Sequence, residues 1–368
     1  MLRSITCLFL LIALTAPPAA AQLLAPPLSP TVHADGTLSL ALKAPAADSV
    51  KASIHLGDTF DLARGEDGTW RADIGPLEPG IYWYAFEVDG TQTNGAAGVD
   101  PTDHRQNPGS VHRTVTIPAD PPAFYEERDV PRGTLHHHRH RSHVLGDHRS
   151  YFVYTPPGYG EQSDRRYPVL YLLHGYSDSE ASWSTWGRAG IILDNLIADG
   201  AVVPMILVMP RGYVSADESR GDAPTAGAME SAWLTAWVQW GKRLTPRVGE
   251  YIVDELVPTI DGSYRTLDEV EHRALAGLSM GGLQALYIGL RNTGRFGSVG
   301  AFSSGVFPPT HAWLLEDVVA PSLLWVACGT EDFLYPANKQ FIARLEERGI
   351  THTTHLTDGG HGWFLWQR

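Results

Sequence analysis

Gly277-Leu278-Ser279-Met280-Gly281-Gly282 is the stretch whose reading decides the fold. It has the form G-x-S-x-G, and both flanks suit it. His272-Arg273-Ala274-Leu275-Ala276 leads in as a short, mostly apolar strand, and Leu283 to Leu290 leads out with helical character. A strand that turns sharply into a helix at a serine holds that residue in a strained conformation, and small glycines let the two elements approach. The turn lifts the hydroxyl out of the sheet, beside a helix N-terminus. Ser279 is therefore the candidate nucleophile. The bland alternative is a glycine-rich turn with an idle serine, and the flanking strand and helix argue against it.

The chain around this turn alternates strands and helices. Tyr151 to Tyr159 reads as a strand ending in a turn. Val169-Leu170-Tyr171-Leu172-Leu173 and Met205 to Pro210 read as buried strands, with a helix over Ile191 to Ala198 between them. Tyr251 to Ile260 reads as a helix before the serine strand. Val299 to Ser303 and Ser322 to Ala327 are further strands, and Asn338 to Arg348 is helical. Continuous apolar strands alternating with helices predict a parallel sheet covered on both faces. With the serine turn, this is the α/β-hydrolase pattern, whose partners follow in the order serine, acid, histidine. Gly329-Thr330-Glu331-Asp332 follows the strand ending at Cys328, and Asp332 is preferred there, with Glu331 as rival. Thr351 to Leu356 reads as the last strand, and Asp358-Gly359-Gly360-His361-Gly362 follows it, making His361 the general base. His352 and His355 read as structural, and Asp358 lies too near His361 in sequence to be its preferred orienting acid.

The chemistry requires these types. A serine hydroxyl is a weak nucleophile until a base takes its proton. An imidazole does this near neutral pH and returns the proton to the leaving alcohol. A carboxylate fixes the tautomer and stabilises the imidazolium. The tetrahedral oxyanion needs two backbone N–H donors: Met280, just after the nucleophile, and Tyr176, in the loop after the Leu172-Leu173 strand.

The chain has 368 residues, long enough for two domains, with 43% hydrophobic and 19% charged residues and a formal charge of −13. That charge argues against nucleic acid or an anionic membrane surface as the main partner. Residues 1–21 carry Arg3, an apolar run from Leu8 to Leu14 and Ala19-Ala20-Ala21 before Gln22, the layout of a secretory signal peptide. The expectation is an exported protein, periplasmic or secreted, without a membrane span. Cys7 leaves with the leader, so Cys328 stands alone; within an apolar run it reads as a buried strand residue rather than a second nucleophile.

Residues 26–118 read as all-β. Leu38 to Leu42 and Val50 to Leu56 alternate, and Asp35-Gly36, Asp67-Gly68, Pro79-Gly80 and Asp89-Gly90 mark turns, which predicts a small sandwich. Its aromatics Trp70, Tyr82, Trp83 and Tyr84 are a possible sugar platform, though such rings more often form core or interdomain packing. Asp120-Pro121-Pro122 marks a linker, and the second domain spans 123–368. Histidines are dense from His136 to His143. Neighbours on a strand point to opposite faces, so a solvated edge strand suits them better than a metal site.

Two resemblances follow. Asp67-Gly68-Thr69-Trp70, Gly75-Pro76-Leu77 and Phe86 to Gly90 make the front region similar to the immunoglobulin-like early-set domain that precedes some exported esterases. Tyr171-Leu172-Leu173-His174-Gly175, Trp183, Val208-Met209-Pro210, Tyr264-Arg265, Ala276 to Gly282, Cys328 to Asp332 and Gly360-His361 resemble the esterase D group. That group includes the feruloyl and acetyl-xylan esterases of carbohydrate esterase family 1, with enterochelin esterases and mycolyltransferases as relatives. The resemblance implies a small immunoglobulin-like sandwich before an α/β-hydrolase domain that cleaves carboxylic esters with no metal or organic cofactor. It also implies a carbohydrate-borne or small phenolic ester as substrate. Rival readings are a siderophore esterase, which would favour a basic cleft, and a non-catalytic glycan-binding protein, against which the complete triad argues.

Two departures from the family stand out. The chain ends at Arg368, seven residues after His361, where the family usually continues into a longer helix. The connection from Val214 to Gly249 is also longer than usual. It carries Trp233, Trp237 and Trp240, spaced to share one face of a helix running from about Glu230 to Gly241. That face is either buried or lies over the cleft, and with Trp183 these three rings are the candidate substrate contacts.

Overall fold

The computed structural model describes residues 29–54, 58–93, 113–215 and 231–367, with the side chains of residues 231–233 left out. The leader reading of residues 1–21 and the ring of Trp233 fall outside that description.

Among the described residues the chain forms three sheets. Two belong to the front all-β region. In the first, β1 (Thr31–Val32), β2 (Leu38–Lys43), β6 (Thr69–Ile74) and β5 (Ala63–Arg64) lie side by side. In the second, β4 (Asp58–Asp61), β3 (Val50–Ile54), β7 (Gly80–Val88) and β8 (Thr91–Thr93) do so, with β9 (Arg113–Ile117) also paired to β7. Alternation works as read: Leu38, Leu40 and Leu42 from β2 and Val50, Ala52 and Ile54 from β3 share one buried cluster. Each such buried aliphatic side chain contributes about 1.5–3 kcal/mol. Trp70 and Tyr84 are part of the same core, and the Trp70 indole N–H donates to the Ala44 carbonyl at 2.9 Å. Trp83 points the other way and packs against the second body. These aromatics are packing elements, not an open platform.

The third sheet runs β10 (Thr134–Arg141), β11 (His148–Thr155), β13 (Ile206–Pro210), β12 (Val169–Leu173), β14 (Arg273–Leu278), β15 (Ser298–Phe302), β16 (Leu323–Gly329) and β17 (Thr353–Thr357). From β13 onward all pairings are parallel, and β10 and β11 are antiparallel additions at one edge. The histidine-rich stretch is thus an edge strand. His138 Nε2 lies 2.5 Å from the Tyr264 hydroxyl, and His140 Nε2 lies 3.1 Å from the Glu255 carboxylate.

One face of the central strands is buried. α3 (Ser231–Glu250), a π-helical turn over Tyr251–Leu256, α4 (Val257–Ser263) and α5 (Met280–Arg291) cover Val169, Tyr171, Val208 and Leu275. α5, α6 (Pro308–Leu314) and α7 (Tyr335–Glu347) cover Val299, Ala301, Leu324 and Val326. The other face carries α1 (Ser182–Thr185), α2 (Ala189–Ala198) and α8 (Trp363–Trp366) over Leu172, Leu207 and Ala276. These helices are short and leave a cavity of about 780 Å³ over β15 and β16, walled by Gly300, Phe302, Trp325 and Ala327. Helices lie on both faces, as expected from the apolar strands, and over the central strands they cover one face more closely than the other.

The helix read to end at Gly241 runs on to Glu250. A glycine interior to a helix costs about 1 kcal/mol against alanine, but here α3 crosses α5 closely. A Cβ on Gly241 would come 3.1 Å from Leu283 Cδ2, so the small residue serves the crossing rather than ending the helix.

The front region is tied to the hydrolase body. The Arg188 guanidinium donates to Thr116 Oγ1 at 2.6 Å, and the segment just after the linker is held within the hydrolase body, where Asn195 Nδ2 donates to the carbonyls of Phe124 and Glu126 at 2.7 Å each. Phe364 of α8 lies against Gly80 of β7, where a Cβ would come within 2.7 Å of the ring.

Candidate active site

Ser279 sits between β14 and α5 with φ 54° and ψ −113°, a backbone conformation that L side chains rarely adopt. Its surroundings hold it there. The Ser279 N–H donates to the Phe302 carbonyl at 2.8 Å, and Gly305 N–H donates to the Ser279 carbonyl at 3.0 Å. The turn needs Gly281, since a Cβ there would come 2.5 Å from the Leu173 carbonyl oxygen. Met280 is the first residue of α5, where a helix leaves its leading amides without partners in the helix.

The strands explain why residues distant in sequence share one end of the sheet. Ser279 follows β14, Asp332 follows β16 and His361 follows β17, so all three lie at the carboxyl ends of parallel strands. His361 Nδ1 is 2.8 Å from Asp332 Oδ2. The other Asp332 oxygen accepts the Leu334 N–H at 2.7 Å, and the Asp332 side chain is fully buried. A buried carboxylate fixed by a backbone donor can orient an imidazole and stabilise its positive charge. Glu331 is exposed and Asp358 Oδ1 is 3.4 Å from the Thr330 hydroxyl, so neither rival takes this place. Cys328 is buried in β16, and burial pushes its thiol up to about 12, which removes it as a nucleophile.

Tyr176 lies in the loop after β12. Its ring meets Trp237 and Trp240 edge-on, with centroids 5.8 and 5.7 Å apart. The next residue, Ser177, has φ 66°, and its N–H donates to the Tyr213 hydroxyl at 2.7 Å.

Of the two places open to the aromatic candidates, the described rings take the buried one. Trp237 and Trp240 are 6% and 4% exposed and belong to the core between α3 and the sheet. Trp183 is 5% exposed, packs on Trp363 at 5.0 Å and donates its indole N–H to the Leu173 carbonyl at 3.0 Å. Rings with so little free surface are walls behind the site, not stacking surfaces over it. A helical aromatic stripe has the same spacing in either case, so the sequence alone does not separate them. The ring that the sequence reading missed is Phe333: it is 52% exposed and lies 4.6 Å from the His361 imidazole. A lone aromatic in a turn has no periodicity to announce it.

The fold is that of an α/β-hydrolase, with Ser279, Asp332 and His361 at the same end of its sheet. The model of the family described as Putative esterase matches residues 142–368. A protein of Xylanibacter ruminicola named endo-1,4-beta-xylanase/feruloyl esterase is 33% identical over 92% of this chain, and the chain spans 44% of that protein's length. A solved structure titled ferulic acid esterase is 27% identical, with a TM-score of 0.50, covering 64% of this chain and 94% of its own. The enterobactin esterase of Shigella flexneri is 17% identical with a TM-score of 0.62 over 90% of each chain, a likeness of fold that takes in the front region as well. The chain belongs to this esterase family.

Proposed function

We propose that this protein is a serine carboxylic-ester hydrolase that releases feruloyl or acetyl groups from plant cell-wall polysaccharide such as xylan. The observation that carries the reading is the 33% identity, over 92% of the chain, to a protein named for feruloyl esterase activity. The Asp332–His361 pair at 2.8 Å supplies the chemical support. His361 takes the Ser279 proton as the hydroxyl attacks the ester carbonyl, and Asp332 stabilises the imidazolium. Tyr176 and Met280 N–H groups receive the oxyanion, a term whose loss typically costs about 10²–10³ in rate. The imidazolium returns the proton to the sugar alcohol, and water then frees the acyl group from Ser279 by the same steps. Phe333, exposed beside His361, is suited to packing against a phenolic acyl group or a sugar face. The division at about residues 118–123 separates a supporting sandwich from this chemistry, and the leader at residues 1–21 makes it an exported enzyme.

The siderophore-esterase reading is the alternative, because the enterobactin esterase shares the fold over 90% of both chains. Hydrolysis of methyl ferulate, acetylated xylan and a catecholate siderophore, measured side by side, tests the proposal. Turnover of the first or second at a kcat/KM at least tenfold above the third is expected. Preference for the siderophore would overturn the substrate assignment.

A further inference from the structure

The Gly175 carbonyl and the Tyr176 N–H belong to one peptide group. In a trans peptide the two bonds point in opposite directions, so whatever fixes the carbonyl also fixes where the N–H points. Two donors hold that carbonyl: His174 Nδ1 at 2.8 Å and the Asp178 backbone N–H at a longer 3.3 Å. His174 is committed to donating from Nδ1, because the Gly212 N–H donates to its Nε2 at 2.9 Å. A donor facing Nε2 leaves no room for a proton there, so the ring is the neutral Nδ1–H tautomer. Burial acts in the same direction and holds the imidazole down to about 4, against the opposing pull of the Gly175 carbonyl and Glu180. Gly212 is anchored in turn: Gln284 Nε2 donates to its carbonyl at 2.8 Å. Gln284 lies on α5, the helix that opens at Met280, and it is fully buried, as His174 nearly is. The peptide so fixed lies beside the nucleophile, since a Cβ on Gly175 would be 3.6 Å from Ser279 Cβ.

We propose that His174 is a positioning residue for ester hydrolysis: its neutral ring, held by Gly212 and Gln284, aims the Tyr176 N–H at the oxyanion. The inference rests on the serine-hydrolase reading above. The chain of contacts couples the two halves of the oxyanion hole. α5 supplies Met280 directly, and through Gln284, Gly212 and His174 it sets the peptide that supplies Tyr176. A ring flipped or protonated at Nε2 would meet the Gly212 N–H donor to donor and release the Gly175 carbonyl.

Two near-isosteric replacements separate this role from packing. His174→Asn keeps an N–H donor at the Nδ1 position and loses the acceptor at Nε2. His174→Gln keeps an acceptor near Nε2 and loses the donor to Gly175. On 4-nitrophenyl acetate, H174Q is expected to lose about 10²-fold in kcat, the scale of one oxyanion donor, with KM within about twofold of wild type. H174N should stay within about tenfold of wild-type kcat. Equal losses in the two variants, or a folded H174Q with wild-type kcat, would overturn the proposal. If H174Q does not fold, H174N decides alone, and a loss of about 10²-fold or more counts against it. Ser279→Ala, run beside them, keeps the two questions apart: activity in that variant defeats the hydrolase reading, whereas the Asn–Gln contrast addresses only His174.

Discussion

Asp332→Asn is a small change with a large expected effect, and the reason lies in the Leu334 N–H. That donor reaches one Asp332 oxygen at 2.7 Å while the other faces His361 Nδ1 at 2.8 Å. An asparagine must turn its oxygen toward Leu334 to keep the backbone bond, which leaves its NH₂ facing His361. The imidazole then puts its proton on Nε2 and cannot accept one from Ser279. The opposite rotamer spares the histidine but strands a buried backbone N–H against an NH₂ group, at about 1–3 kcal/mol. The first arrangement therefore prevails, and kcat should fall about 10³–10⁴-fold, the scale known for a wrong-tautomer triad. Stability should hardly change, because the replacement is isosteric and keeps the Leu334 bond. The assay is kcat and KM on 4-nitrophenyl acetate at pH 7, with thermal melts of both proteins. A folded variant that keeps more than a tenth of the wild-type kcat would show that Asp332 does not orient the base.

Other expectations follow from the same geometry. Ser279→Ala and His361→Ala should each abolish turnover of every ester, and chelators should leave the wild type unaffected; inhibition by chelation would sink the metal-free mechanism. Trp237→Ala should lower stability by about 3–5 kcal/mol in denaturant melts, as a buried aromatic does, while a change confined to KM would restore the reading in which the ring lies over the cleft. Phe333→Ala should raise KM for methyl ferulate severalfold with the melting temperature unchanged, and unaltered kinetics would remove it from the substrate path. His174 sets an acid limit. Its pKa falls from the ordinary 6.5 to about 4 in the folded state, so the unfolded chain takes up the proton first as pH drops. Its contribution is complete above about pH 6.5 and shrinks toward pH 4, amounting to about 2 kcal/mol lost by pH 5. Urea midpoints at pH 7 and 5 should therefore differ more in the wild type than in H174N, and equal slopes would refute the assignment.

The parts of the molecule that local chemistry dictates could be read in the sequence. The serine turn announces itself because tight glycines, an apolar strand and a helix are contiguous. Asp332 and His361 follow because each closes a strand in a known order. The network from Gln284 through Gly212 to His174 could not be read, since its members come from three separate segments and each looks ordinary in its own. The place of the tryptophan stripe stayed open in the sequence because spacing reports which residues share a face, not what that face meets. The cavity over β15 and β16 was not legible for a related reason: apolar strands state that burial is favourable, not how closely a helix provides it.

α8 is four residues long, far too short to be stable by itself. It begins two residues after His361, and its Trp366 lies 4.9 Å from that imidazole while donating its indole N–H to Ser303 Oγ at 3.0 Å. Its order is borrowed from its neighbours, and one of them is β7 of the front sandwich, through Phe364 and Gly80. The sandwich is therefore expected to act as a thermal fuse. On heating, loosening at this contact is expected to free the histidine loop before the eight-stranded sheet melts. Activity and ellipticity followed through one melt test this: activity should fall first and recover on cooling while the sheet is unmelted, and coincident transitions would refute it. A chain beginning near Ala123, lacking the sandwich, would start with the fuse already open: folded by circular dichroism, but with an activity that declines at temperatures the intact protein tolerates.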